Sequence, residues 1–120
     1  MERVAAIAQA LSDPGRIRLL AGLRDGERCV CQLIDVIGLA PSTVSKHLSI
    51  LHDVGLVLRR KKGRWAYYRL AGRDAPPAVR RAIRWVCDSV ADDPAIADDA
   101  RRFEAQSCRD LGDLATCYRN

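Results

Sequence analysis

Apolar positions recur along this chain at helical spacing, broken by sharp stops. Val4, Ile7, Ala8 and Leu11 fall at i, i+3, i+4 and i+7, one face of a short amphipathic helix. Ser12-Asp13-Pro14 ends it and starts another: Asp13 can cap, Pro14 suits the first helical position, and Ile17, Leu20 and Ala21 continue the stripe with Leu23 at its edge. Asp25-Gly26 closes that helix. Leu33, Val36 and Ile37 give a third helix of two turns, stopped by Gly38. Pro41-Ser42 opens a fourth, with Val44, Leu48, Leu51 and Val54 on one narrow face and Ser42, Thr43, Ser45, Lys46 and Ser49 on the other.

The period then changes. Leu56-Val57-Leu58 leads through Arg59-Arg60-Lys61-Lys62-Gly63-Arg64 to Trp65-Ala66-Tyr67-Tyr68-Arg69-Leu70, which predicts a strand, a Lys62-Gly63 turn and a second strand. Pro76-Pro77 opens a fifth helix in which Val79, Ile83, Val86 and Val90 repeat, flanked by Trp85 and Cys87. That face has little local core left to cover, so a partner helix from a second chain, and hence a homodimer, is expected. Asp92-Asp93-Pro94 starts a sixth helix carrying Ile96, Ala100 and Phe103. From Ser107 the pattern fades and a mobile end is expected. The fold class is therefore mainly α with a β-hairpin, in the order ααααββαα. Two short helices joined by a glycine turn and followed by a basic hairpin make a winged helix-turn-helix. Residues 1–91 read as its DNA-binding and dimerisation part. Residues 92–120 read as a C-terminal helix and tail of the same domain.

Charge adds a partner to this outline. Residues 1–91 hold 16 bases against 8 acids, and residues 92–120 hold 4 against 7. Five of the six residues from Arg59 to Arg64 are cationic. Packing gives no reason to crowd charge on a hairpin tip, whereas a phosphate backbone would offset the repulsion. The hydroxyls and lysine on the fourth helix suit phosphate and base-edge contacts. The expected contacts to double-stranded DNA are Ser42, Thr43, Ser45, Lys46 and His47 from that helix, and Arg60, Lys61, Lys62 and Arg64 from the hairpin. No apolar run approaches the length of a membrane span, and the first ten residues lack a signal-peptide core, so a cytoplasmic protein without membrane contact is expected. No phosphate-cradling glycine motif or thioredoxin-like pattern suggests an enzyme.

The 120-residue chain has five cysteines, an unusual number for a reducing compartment. Cys29 and Cys31 form a C-x-C pair at the head of the third helix, suited to one soft ion. In a regular helix, residues i and i+2 point about 160° apart, so both sulfurs reach one ion only if that helix end opens or is held extended. A helix N-terminus and Arg28 are expected to favour the Cys31 thiolate. Cys87 reads as a spectator beside the apolar stripe.

Four landmarks together resemble the arsenical-resistance (ArsR/SmtB) family of metal-responsive winged-helix repressors: Leu11-Ser12-Asp13-Pro14 through Leu20, Cys29-Val30-Cys31, Ser45-Lys46-His47-Leu48 through Gly55-Leu56-Val57, and Lys62-Gly63-Arg64 through Leu70. The resemblance covers about residues 3–91. It implies a homodimeric repressor, needing no resident cofactor, that leaves its operator when a toxic metal or metalloid binds. Thiolates without histidine suit trivalent arsenic or antimony as inducer. The arsenic sensors of this family commonly carry C-x-C-x-x-C, where this chain has Ile34 in the third position; Cys108 or Cys117, from either protomer, or a hydroxide would complete the set. Relatives sensing cadmium or lead add cysteines near the N-terminus, and none precedes Cys29 here. Relatives sensing zinc, nickel or cobalt use histidines and carboxylates on the fifth helix, where this chain has only Asp88. A thiol-based redox sensor, or a cadmium or lead sensor, is the alternative within the family.

Overall fold

The computed structural model describes residues 1–106. The expectation of a mobile end, and Cys108 and Cys117, lie outside the described residues. Among the described residues, six helices and three strands follow in the order α1 (Glu2–Ala10), α2 (Pro14–Gly22), β1 (Arg28–Cys29), α3 (Val30–Ile37), α4 (Pro41–Asp53), β2 (Val57–Lys62), β3 (Trp65–Leu70), α5 (Pro77–Ser89) and α6 (Pro94–Gln106). All eight expected elements are present, and the winged helix-turn-helix is the fold.

Helix α2 is the centre of the molecule, with α3, α4, α5 and α6 all packed on it. Its apolar surface is accordingly wider than one stripe: Leu19, Leu20, Ala21 and Leu23 are all buried. The expected stripe omitted Leu19, because a helix surrounded on every side loses the polar face that makes periodicity readable. Asp13 caps α2 as expected, accepting from the Arg16 amide at 3.2 Å. Gly38 ends α3 in the left-handed region at φ 77°, a conformation that L side chains rarely adopt. Val44, Leu48 and Leu51 seat α4 on the core, with no exposure at all.

Three details depart from the sequence outline. First, the hairpin is part of a three-stranded sheet ordered β1-β3-β2, because Arg28 and Cys29 pair antiparallel with Tyr68 and Tyr67. A two-residue strand is too short to show any period. Second, Lys62 pairs with Trp65, so the turn is Gly63-Arg64, one residue later than expected. Gly63 at φ 63° in the first central position fits a type II′ turn, whose twist matches its strands. Third, Val79 and Val86 of α5 are buried within this chain, where α1 and α2 pack on the helix. The stripe expected to await a partner is therefore largely spent on the protomer's own core. What α5 leaves outside is Trp85, 66% exposed, and α1 leaves Val4, 61% exposed.

Helix α6 docks through polar groups that an apolar pattern overlooks. Asp99 is buried and takes two hydrogen bonds from Arg18, at 2.8 and 2.9 Å. Ala100, assigned to the buried face, is exposed. Replacing Asp99 by Ala should lower stability by about 2–3 kcal/mol, because it strands the half-buried Arg18 guanidinium. In a thermal melt followed by circular dichroism, the midpoint should fall by about 10 °C.

Candidate nucleic-acid interface and thiol pair

Helix α4 presents Ser42, Thr43, Ser45 and Lys46 as one exposed surface at its N-terminal end. Pro41 sets the first helical position and no side chain caps the turn. His47 does not join that row. Its side chain is only 14% exposed, and its ring lies between Asp13 and Arg16 of the α2 start. On the wing, Lys61, Lys62 and Arg64 are exposed around the Gly63 turn. Arg60 is exposed but engaged. It makes two hydrogen bonds to Glu27, at 2.5 and 3.1 Å, and lies over the Tyr67 ring at 4.8 Å. The Arg60 guanidinium in turn holds the Glu27 carboxyl below its ordinary range. Cross-strand register brings Arg60 opposite Tyr67, a pairing that the run of cations alone does not reveal.

The thiol pair sits where β1 becomes α3. Cys29 is extended, with φ −70° and ψ 147°, while Cys31 is in the helix. This break in conformation solves the 160° problem: the two sulfurs stand 3.0 Å apart, the Cys31 thiol donating to the Cys29 sulfur. No helical turn has to unwind. Gln32 Oε1 accepts from the Cys29 amide at 2.8 Å and so fixes the junction. Both cysteines are buried, covered by Val30 and by Trp65 and Tyr67 of β3.

The expectation of a readily formed Cys31 thiolate is overturned. Burial, together with the Cys29 sulfur beside it, pushes the Cys31 thiol up to about 12. The helix N-terminus does not outweigh that desolvation. Arg28 gives no help either: its Nε donates to the Gly22 carbonyl at 2.7 Å, and its guanidinium lies 3.9 Å from the Phe103 ring centroid. Cys87 is half-buried on α5, and burial raises its thiol as well. Among the described residues no group of three His, Cys, Asp or Glu side chains could hold a metal. The pair offers two adjacent sulfur donors and, among the described residues, no histidine or carboxylate beside them.

Sequence reasoning placed the pair correctly at a helix head but missed its cover. The Cys29–Tyr67 pairing makes the wing strand one wall of the thiol site. The apolar ring faces of Trp65 and Tyr67, alternating with Ala66 on β3, are the signal that points to such a role. They are too large for a solvated hairpin.

Comparison with known proteins agrees with this architecture. Residues 13–58 match the family described as bacterial regulatory protein, arsR family. Over 84 residues the chain is 36% identical to an arsenic resistance transcriptional regulator of Pseudomonas putida, covering 69% of this chain and 65% of that protein. It thus spans slightly less than two thirds of that relative's length. It is 37% identical over 102 residues to the HTH-type transcriptional regulator CmtR of Mycobacterium tuberculosis, covering 85% of this chain and 86% of that one. Among solved structures, it is similar to a homodimeric winged helix-turn-helix DNA-binding domain from Mycobacterium bovis, described as a possible ArsR-family transcriptional regulator. The identity is 36% and the TM-score 0.63, over 76% of this chain and 80% of that one. The chain belongs to the ArsR family of bacterial regulatory proteins, and is a transcriptional regulator rather than an enzyme.

Proposed function

We propose that this regulator represses transcription as a homodimer bound to operator DNA, and is released when trivalent arsenic or antimony bonds to Cys29 and Cys31. Each protomer lays α4 in a major groove, with Ser42, Thr43, Ser45 and Lys46 nearest the bases and phosphates and the wing on the flanking backbone. Exposed Val4 and Trp85, on the adjoining helices α1 and α5, support a dimer contact at that face. Such a dimer places half-sites about one DNA turn, or a multiple of it, apart. Chromosomal DNA as partner makes the protein cytoplasmic. No helix among the described residues is long and apolar enough to cross a membrane.

The buried, protonated Cys31 thiol carries the choice of inducer. A divalent cation must expel that proton into solvent before it can bond to sulfur. A trivalent hydroxide of arsenic or antimony brings its own base: each new bond to sulfur replaces a hydroxide, and the thiol proton leaves with it as water. A site that suppresses thiolate therefore disfavours cadmium and lead more than arsenite. Cys108 or Cys117 supplies the third sulfur, from the same or the partner protomer, or a hydroxide remains.

The test is release of a labelled operator, followed by fluorescence anisotropy and titrated with arsenite, antimonite, cadmium, lead and zinc. Arsenite and antimonite should release it, with a midpoint nearly independent of pH between about 6 and 8. For a divalent cation the midpoint should fall steeply as pH rises, because bonding to the two sulfurs releases thiol protons. Release by cadmium or lead alone would transfer the role to the cation-sensing alternative. Release by peroxide alone, with a mass loss of two hydrogen atoms as a disulfide forms, would transfer it to redox sensing.

A further inference from the structure

Side chains from the start of α2 meet one from the reading helix α4. Arg16 Nη1 lies 3.2 Å from His47 Nδ1, and Asp13 Oδ2 lies 3.5 Å from His47 Nε2. A guanidinium has no acceptor, so in the neutral ring Nδ1 must accept and Nε2 must carry the proton, which then faces the Asp13 carboxylate. Arg16 also reaches back to α1: its Nε donates to the Ala10 carbonyl at 2.6 Å, and Nη2 to the Gln9 carbonyl at 3.4 Å. One arginine therefore links the end of α1, the start of α2 and the middle of α4.

The approach is as close as the sequence permits. A Cβ on Gly15 would stand 2.9 Å from Asp13 Oδ2 and 3.3 Å from His47 Nε2. Desolvation opposes ionisation of Asp13. Even so, its carboxyl is held below the ordinary value by hydrogen bonds from the Arg16 and Gly15 amides and by the neighbouring Arg16 charge. Lys46, one position earlier on α4, is exposed, so the inward turn belongs to His47 itself.

The geometry points to Asp13, Arg16 and His47 as a clamp that fixes the angle of α4 against α1 and α2, making His47 and Arg16 positioning residues for operator recognition that do not touch DNA. The inference rests on the DNA-binding reading above. Base-edge hydrogen bonds depend steeply on helix angle, whereas phosphate contacts from long flexible side chains tolerate a change. Loosening the clamp should thus cost sequence discrimination and spare general affinity.

Full-length Arg16→Ala, His47→Ala and the double variant test this against the parent on operator and unrelated duplexes. Each single variant should weaken operator binding about tenfold, and the double should fall no further than the singles, since both release one clamp. Unrelated-duplex affinity and the salt dependence should not change. His47→Gln, whose amide N–H can still face Asp13, should recover most of the loss. The clamp is overturned if His47→Ala lessens the salt dependence or abolishes preference at one base pair while Arg16→Ala does nothing, because His47 would then contact DNA. It is equally overturned if no variant differs from the parent. Nitrogen-15 NMR of the ring reads the clamp without DNA: the neutral form should be protonated at Nε2 in the parent and a tautomer mixture in Arg16→Ala. A parent protonated at Nδ1 rejects the clamp. A parent with the Nε2 tautomer but no operator binding rejects instead the reading on which its function rests.

Discussion

Replacing Cys29 and Cys31 together by serine will leave the operator bound and make it insensitive to arsenite. Serine differs from cysteine by a single atom, and adjacent hydroxyls can hydrogen-bond each other as the thiols do here, so the fold has little reason to change. What disappears is the bond-forming chemistry. In the parent, an ion entering between the sulfurs must part Trp65 and Tyr67, which cover them from β3. Strand β3 pairs on its other edge with β2, the strand that carries Lys61 and Lys62. A second route leads through α3 to the α4 packed on it. Both ends of the DNA-reading surface therefore feel the site, one through a sheet and one through a helix pair. The coupling needed is modest: about 1–3 kcal/mol changes operator affinity about 5- to 150-fold, and DNA must weaken arsenite binding by the same factor. In the anisotropy titration the double variant should show no release at arsenite levels that free the parent completely. Release of both at one midpoint would place the inducer elsewhere.

Most of the architecture could be read from spacing, and the exceptions share physical causes. Helix α4 is legible because it is half-buried: Val44, Leu48 and Leu51 face in, and the hydroxyls face out. Helix α2 is less so, because a central helix has no solvated face to break its apolar run. Strand β1 is invisible because two residues carry no period, yet it holds Cys29 extended and makes the thiol pair converge. Asp99 and Gln106 are buried polar groups whose partners lie far away in sequence; Gln106 Nε2 donates to the Gln32 carbonyl at 3.0 Å and to Asp35 at 2.9 Å. Such pairs leave no mark on a hydrophobicity pattern. The site residues follow the same division. Lys46, Lys62 and Arg64 stand where their surface positions predict. His47 and Arg60 carry the same apparent signal but are engaged by Asp13, Arg16 and Glu27, partners that only the tertiary fold supplies.

That division decides the second large effect, the loss of DNA affinity when the wing is neutralised. Sequence alone counts four wing cations, Arg60, Lys61, Lys62 and Arg64, which would give a dimer a log–log salt slope of about −7. The Glu27 ion pair removes Arg60 from that count, leaving three per protomer. Replacing Lys61, Lys62 and Arg64 by alanine removes six cations from the dimer. The slope should become about 5 units shallower, and affinity at moderate salt should fall about a thousandfold or more. Operator and unrelated duplexes should suffer alike, because phosphate contacts position the protein without reading sequence. Arg60→Ala should behave differently, with a slope close to that of the parent. Its cost to stability should be small, since the Glu27 pair is solvent-exposed on the Arg60 side. If Arg60→Ala instead shortens the slope as much as Lys62→Ala does, the Glu27 pair opens on the duplex and the fourth cation returns to the phosphate count. Freeing Arg60 by Glu27→Gln separates these outcomes from the other side. It should steepen the slope if the pair normally withholds the guanidinium from DNA, and leave it unchanged if the pair already opens there.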